Sequence, residues 1–228
     1  MKKSKIITLL SLFSLAACAK VDSTQVKSGG IYATFSVTEE GNGKAICEAV
    51  FQVGSETGTF MALEGGDRVS CEGKSLSKSE VLGMITYSAE VPLDRAKSYG
   101  ITFSRQDEPE YKAELSLPEP LELTWPRPAE RVNGTNGVEL RWNLGASTDY
   151  DMFAQVTGPN SVTALGKENP DKGTRLIPAS SLELPAGSTA ENFTATVTRA
   201  KAGSFPRGLA GGKSWGKQRR SVTFTVTK

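Results

Sequence analysis

IYATFSVTEEGNGKAICEAVFQV, residues 31–53, decides the fold class. Ala33, Phe35 and Val37 fall on one parity and Tyr32 and Thr34 on the other, the period-two alternation of a half-buried strand. Asn42-Gly43 stands at the tip of the polar break EEGNGK, a strong hairpin signal because both residues accept positive φ. The alternation then resumes, with Cys47, Ala49 and Phe51 on one face. Further strand-like runs follow at 58–63, 65–73, 81–91, 98–105 and 110–117, and 76–85 has room for a helical turn. Seven or eight short strands in about 90 residues is the rhythm of a β-sandwich.

LPEPLELTWPRP (117–128) is punctuated by four prolines, which disfavour helix and mark a boundary near residue 119. A second strand series begins there: 121–125, 138–144, 151–158, 174–184, 192–199 and 219–228. Trp142 follows a proline-rich lead, Asp149-Tyr150 opens the next strand, and a hairpin closes the chain. This order resembles a fibronectin type III or related immunoglobulin-like domain. The resemblance implies that Trp142 packs between two sheets. The expected fold class is all-β, with two tandem immunoglobulin-like β-sandwich domains.

The chain starts MKKSK, followed by the apolar run IITLLSLFSL (6–15). A basic start and a short apolar run form a secretory signal; ten residues reach only about half of a hydrocarbon core of about 30 Å. Leu15-Ala16-Ala17-Cys18 then resembles the lipobox of bacterial lipoproteins. That resemblance implies a diacylglyceryl group on the Cys18 thiol and cleavage before it; the alternative is an ordinary signal with an incidental cysteine. It also implies a cell-envelope location, the outer membrane rather than the inner, because Ala19 rather than aspartate follows the cysteine. The expected organisation is a signal peptide at 1–17, a lipidated tether at 18–30, and sandwiches at 31–119 and 120–228. With Cys18 lipidated, Cys47 and Cys71 remain, both on apolar strand parity. In an oxidising compartment they read as one disulfide, the alternative being two free core thiols.

Composition narrows the chemistry. The sequence has no histidine, which excludes Ser-His and Cys-His nucleophiles, imidazole acid–base catalysis and histidine-bound zinc. Removing residues 1–17 takes away Lys2, Lys3 and Lys5, leaving 24 basic against 25 acidic residues. The first half is acidic and the second basic. Ser75–Lys78 and Ser214–Lys217 fit S-x-x-K, a weak match without the companion motifs of serine–lysine hydrolases. Asp149-Tyr150-Asp151 offers too few oxygens for calcium. No catalytic residue, metal site, cofactor or nucleic-acid partner is expected.

The stretch AKAGSFPRGLAGGKSWGKQRR, residues 200–220, reads as a long glycine-rich loop between the last two strands. Phe205, Arg207, Lys213, Trp215, Lys217, Arg219 and Arg220 would make it a binding element. The plain alternative is a basic hairpin whose aromatics cover a sheet edge. The function expected is a non-catalytic binding or structural module, anchored to the membrane by lipid and contacting an anionic envelope polymer, lipid or another envelope protein. The alternatives are a carboxylate-dependent envelope glycan hydrolase and an assembly or chaperone subunit that uses an exposed sheet edge.

Overall fold

The computed structural model describes residues 20–228; the signal segment and Cys18 lie outside the described residues. The chain is all-β. Its first ten strands are β1 (Val21–Asp22), β2 (Ile31–Glu39), β3 (Lys44–Val53), β4 (Met61–Ala62), β5 (Arg68–Cys71), β6 (Lys74–Ser75), β7 (Ser77–Val81), β8 (Met84–Pro92), β9 (Ser98–Ser104) and β10 (Tyr111–Ser116). Eight follow: β11 (Leu123–Trp125), β12 (Arg131–Asn133), β13 (Val138–Trp142), β14 (Asp151–Thr157), β15 (Val162–Glu168), β16 (Thr174–Ile177), β17 (Ala190–Ala202) and β18 (Gly211–Thr227). Among the described residues no helix is long and apolar enough to cross a membrane.

Two hydrophobic clusters divide the chain. In the first, the alternating residues Ala33, Phe35 and Val37 of β2 and Cys47, Ala49 and Phe51 of β3 bury one face of a sheet. Opposite lies the sheet β10-β9-β5-β6, which contributes Val69, Cys71, Tyr99, Ile101, Phe103 and Leu115. Cys47 and Cys71 are bonded and join the two layers. The second cluster lies between β11-β13-β16 and β14-β17-β18, an immunoglobulin-like sandwich with β12 running parallel to the end of β18. Trp142 is buried in it and donates its indole N–H to Asp171 Oδ1 at 2.8 Å.

Three sequence expectations need correction. Residues 200–220 are not a loop: β17 runs to Ala202, β18 starts at Gly211, and only 203–210 connect them. Gly203, Gly212 and Gly216 are there because neighbours come close, not to make the chain flexible. A Cβ on Gly216 would lie 1.9 Å from the Ser116 carbonyl oxygen, and one on Gly212 would lie 1.9 Å from the Ala33 carbonyl oxygen and 2.3 Å from the Phe205 ring.

The second concerns the independence of the two halves rather than the boundary, since the two clusters part between Leu117 and Leu121, on either side of residue 119. Gly211–Gln218 of β18 pair in parallel with Tyr32–Glu39 of β2, while the whole of β18 from Trp215 onward pairs antiparallel with β17. One strand therefore belongs to both sandwiches and makes their outer layers a single nine-stranded sheet. Phe205 and Leu209, from the connection, pack against the first cluster.

The third concerns the tether. Residues 21–30 lie on the first sandwich rather than hanging from it. Val21 and Asp22 pair with Met61 and Ala62, and Val26 packs on the core. Arg105 donates to the Ser28 hydroxyl at 2.7 Å and the Ser23 carbonyl at 2.9 Å, while pairing with Asp67 at 3.1 Å. The polarity that suggests a tether is satisfied by a partner about 80 residues away, invisible to local reading.

The disulfide closes a loop of 24 residues. Replacing both cysteines by alanine is expected to lower stability by about 3 kcal/mol, since the unfolded chain regains loop entropy. Urea denaturation of both proteins measures this; equal midpoints would assign the bond no stabilising role.

Candidate functional site

Strand alternation sorts the basic residues of β18 onto two faces. Ser214, Gly216 and Gln218 point inward and are buried, whereas Lys213, Trp215, Lys217 and Arg219 stand on the outer face of the shared sheet. Thr196 and Thr198 of β17, and Phe153 and Gln155 of β14, continue that face. Together they line a depression of about 780 Å³. It joins a second of about 340 Å³ at Phe153, Thr198 and Arg219. Beyond Trp215 a third, of about 310 Å³, reaches Asp149, Asp151 and Asn169.

The polar surface of this face is a ladder of paired hydroxyls. Thr194 meets Thr223 at 2.9 Å and Thr196 meets Ser221 at 2.8 Å, while Thr225 donates to Asn192 at 2.9 Å. Each hydroxyl keeps acceptor capacity for a ligand. Phe153 is one of few large apolar side chains that are exposed.

Most cations of the face have acidic partners. Lys213 holds Glu56 at 2.6 Å, Arg219 holds Glu40 at 2.9 Å, and Lys167 holds Asp151 at 2.8 Å. The hydrogen bond to the Glu56 carboxylate raises the Lys213 pKa, and burial opposes it. Lys217, half-buried at the centre, has no ion-pair partner among the described residues. Burial pushes its pKa down, opposed by Glu48 and reinforced by Arg219.

The remaining candidates lie elsewhere. Phe205 is half-buried against the first core, its ring 6.1 Å from that of Phe35. Arg207 is exposed on the 203–210 connection. Arg220 turns to the opposite side and donates to Glu39 Oε2 at 2.7 Å. Desolvation raises the Glu39 pKa, but Arg220, the Gly41 amide and Arg95 together hold it below the usual carboxylate value. Thus four of the seven proposed residues meet on one surface and three do not. Phe153 and the hydroxyl ladder were missed, although the alternation in DMFAQVTG already places Phe153 and Gln155 on the polar side of their strand.

Two of the motif stretches, Ser214–Lys217 and Asp149–Asp151, border this face. Ser214 is buried on the inner side while Lys217 stands on the outer, so the S-x-x-K spacing within a strand separates the two groups. Asp149 and Asp151 share Asn169 as a hydrogen-bond donor at 3.4 and 3.1 Å, and no metal-binding cluster occurs among the described residues.

No protein-family model matches the chain, and no curated protein matches it. Among solved structures the chain is similar to the three-immunoglobulin-domain structure of titin domains I67–I69, a Glu-to-Ala mutated variant, at 8% identity and a TM-score of 0.24. That match covers 86% of this chain, which spans 65% of the titin structure's length.

Proposed function

We propose that this chain is a lipid-anchored, non-catalytic module of the bacterial cell envelope. It binds an anionic envelope polymer on the outer face of the shared sheet. The observation that carries the reading is the convergence on that face of Trp215, Phe153, a hydroxyl ladder and Lys217, which has no ion-pair partner among the described residues, along contiguous depressions. Aromatic faces and hydroxyls suit a hydroxyl-rich chain, and a desolvated cation suits its negative groups. The anchor is Cys18, and Ala19 after it favours the outer membrane.

The face is a better candidate than the sheet edges. Edge strands β7 and β15 carry Lys78, Glu80, Lys167 and Glu168, and charges at an edge oppose strand addition. A glycan hydrolase needs two carboxylates flanking one bond. Here Glu40, Glu56 and Asp151 are each occupied by a cation.

The test compares wild type with Lys217→Ser and Trp215→Ala for binding to isolated cell-wall polymer and to lipopolysaccharide, from about 0.1 to 1 M salt, where the Debye length falls from about 10 to 3 Å. Lys217→Ser is expected to remove a salt-sensitive part of the affinity. Trp215→Ala should weaken binding at least about tenfold at every salt concentration, a buried aromatic anchor being worth about 2 kcal/mol. Arg220 is left intact because it holds Glu39. Three superimposable curves would rule this face out.

A further inference from the structure

Seven large apolar side chains are exposed among the described residues, and three of them crowd one hairpin tip: Val81 at 59%, Leu82 at 96% and Met84 at 51%. The tip joins β7 to β8, paired from Ser77↔Ser88 up to Val81↔Met84. Its two turn residues, Leu82 and Gly83, both have positive φ, 51° and 80°. That geometry matches the twist of a two-residue hairpin and favours asparagine or glycine; a leucine there is sterically disfavoured. With its side chain almost wholly in solvent, Leu82 gives the folded chain no packing in return.

The position of the tip indicates what covers it. Lys20 Nζ lies 3.7 Å from Glu80 Oε2, one residue before Val81. An exposed pair of this kind adds little stability, but it fixes where the chain's described start lies. Two residues span at most about 7 Å. Cys18 is two residues before Lys20, and residues 21–30 are held on the first sandwich rather than forming a spacer. The described start of the chain and the apolar tip therefore share one end of the molecule, and the sequence puts Cys18 only two residues before that start.

We propose that Val81, Leu82 and Met84 form an apolar finger that enters the lipid bilayer beside the acyl chains. This rests on the reading of Cys18 as the lipidated anchor. Two insertions side by side convert a swivelling attachment into a defined orientation, with the nine-stranded sheet held at a fixed attitude to the membrane. Lys20 and Lys78, both ion-paired with Glu80, border the finger at headgroup level.

The experiment uses the full chain purified from membranes, with the mass of its N-terminal peptide measured first. An environment-sensitive fluorophore is attached at Met84→Cys, and in a separate sample at Leu176→Cys in the second sandwich. Both proteins are reconstituted into phosphatidylcholine–phosphatidylglycerol vesicles with and without nitroxide-labelled acyl chains. The probe at 84 is expected to shift to the blue and lose most of its emission to the nitroxide, whereas the probe at 176 changes little. Adding Leu82→Asn, which suits the turn, should reverse most of the effect at 84 while near-UV circular dichroism stays native. An acylated protein whose probe at 84 is unquenched overturns the finger and leaves the anchor standing. A probe that shifts to the blue in native membranes but neither shifts nor is quenched in the vesicles means that a protein covers the tip, and also overturns it. A peptide without acyl mass overturns the anchor and, with it, the finger's placement.

Discussion

A chain that stops at residue 119 is expected to yield no stable monomer. It lacks Gly211–Gln218, so β2 loses its parallel neighbour and presents open N–H and C=O groups along its length. It also lacks the bonds between Ser204 and Glu114, and the Phe205 ring packed against Phe35. Removing a buried phenylalanine costs about 3–5 kcal/mol; for the half-buried Phe205 about 2–3 is reasonable. Against a total of about 5–15 kcal/mol for a small domain, that loss plus an open edge favours association over a folded monomer. Size-exclusion chromatography and urea denaturation of residues 20–119 are the measurements. The expected result is self-association without a sharp transition, corrected by adding a peptide of residues 203–220. A monomeric fragment that unfolds cooperatively without the peptide would make the shared strand dispensable. In the intact chain, Gly216→Val should act in the same direction, because its Cβ would overlap the Ser116 carbonyl.

Arg199→Ala should be the most damaging single substitution in the second sandwich. Arg199 is 0% exposed, and its guanidinium donates to Asp171 Oδ2 at 2.8 and 3.0 Å. It also reaches the carbonyls of Asn143, Glu119 and Pro120, and stacks 5.6 Å from the centre of the Tyr150 ring. Asp171 in turn accepts from the Trp142 indole and the Gly173 amide. All of these bonds converge where the chain passes from one sandwich to the other. Removing the cation leaves a buried carboxylate without its counter-charge, a loss of about 3–5 kcal/mol. Replacing both partners, as in Arg199→Met with Asp171→Leu, should cost less because no charge is left stranded. Denaturation midpoints of the three variants measure this, and limited proteolysis at 117–121 reports on the linker. A loss below about 1 kcal/mol for Arg199→Ala would mean that the network does not hold the second core.

What could be read from the sequence follows from how local each signal is. The alternation in 31–53 and the parity of Cys47 and Cys71 are set by neighbours two residues apart, and strand and disulfide readings need no more. The start of β18 offers no such clue. Glycine marks a turn when the backbone needs positive φ and close approach when another chain segment crowds it; nothing in GGKSWGK distinguishes the two. The crowding groups, Ala33 and Ser116, are about 180 and 100 residues away. The same distance hid the roles of Phe205 and of Ser23 and Ser28. The candidate face was half legible: Lys213, Trp215, Lys217 and Arg219 are spaced by two, but spacing has a meaning only once the segment is known to be a strand.

The shared strand also sets an order of events during synthesis. Tyr32–Glu39 must wait for Gly211–Gln218, about 180 residues later. At about 5–20 residues per second this is a delay on the order of 10–40 seconds. For that interval the first half of the chain has its strands and its cysteines but no closing neighbour, so it cannot reach its final packing early. The two halves are therefore expected to complete their packing together, once Gly211–Gln218 reaches β2.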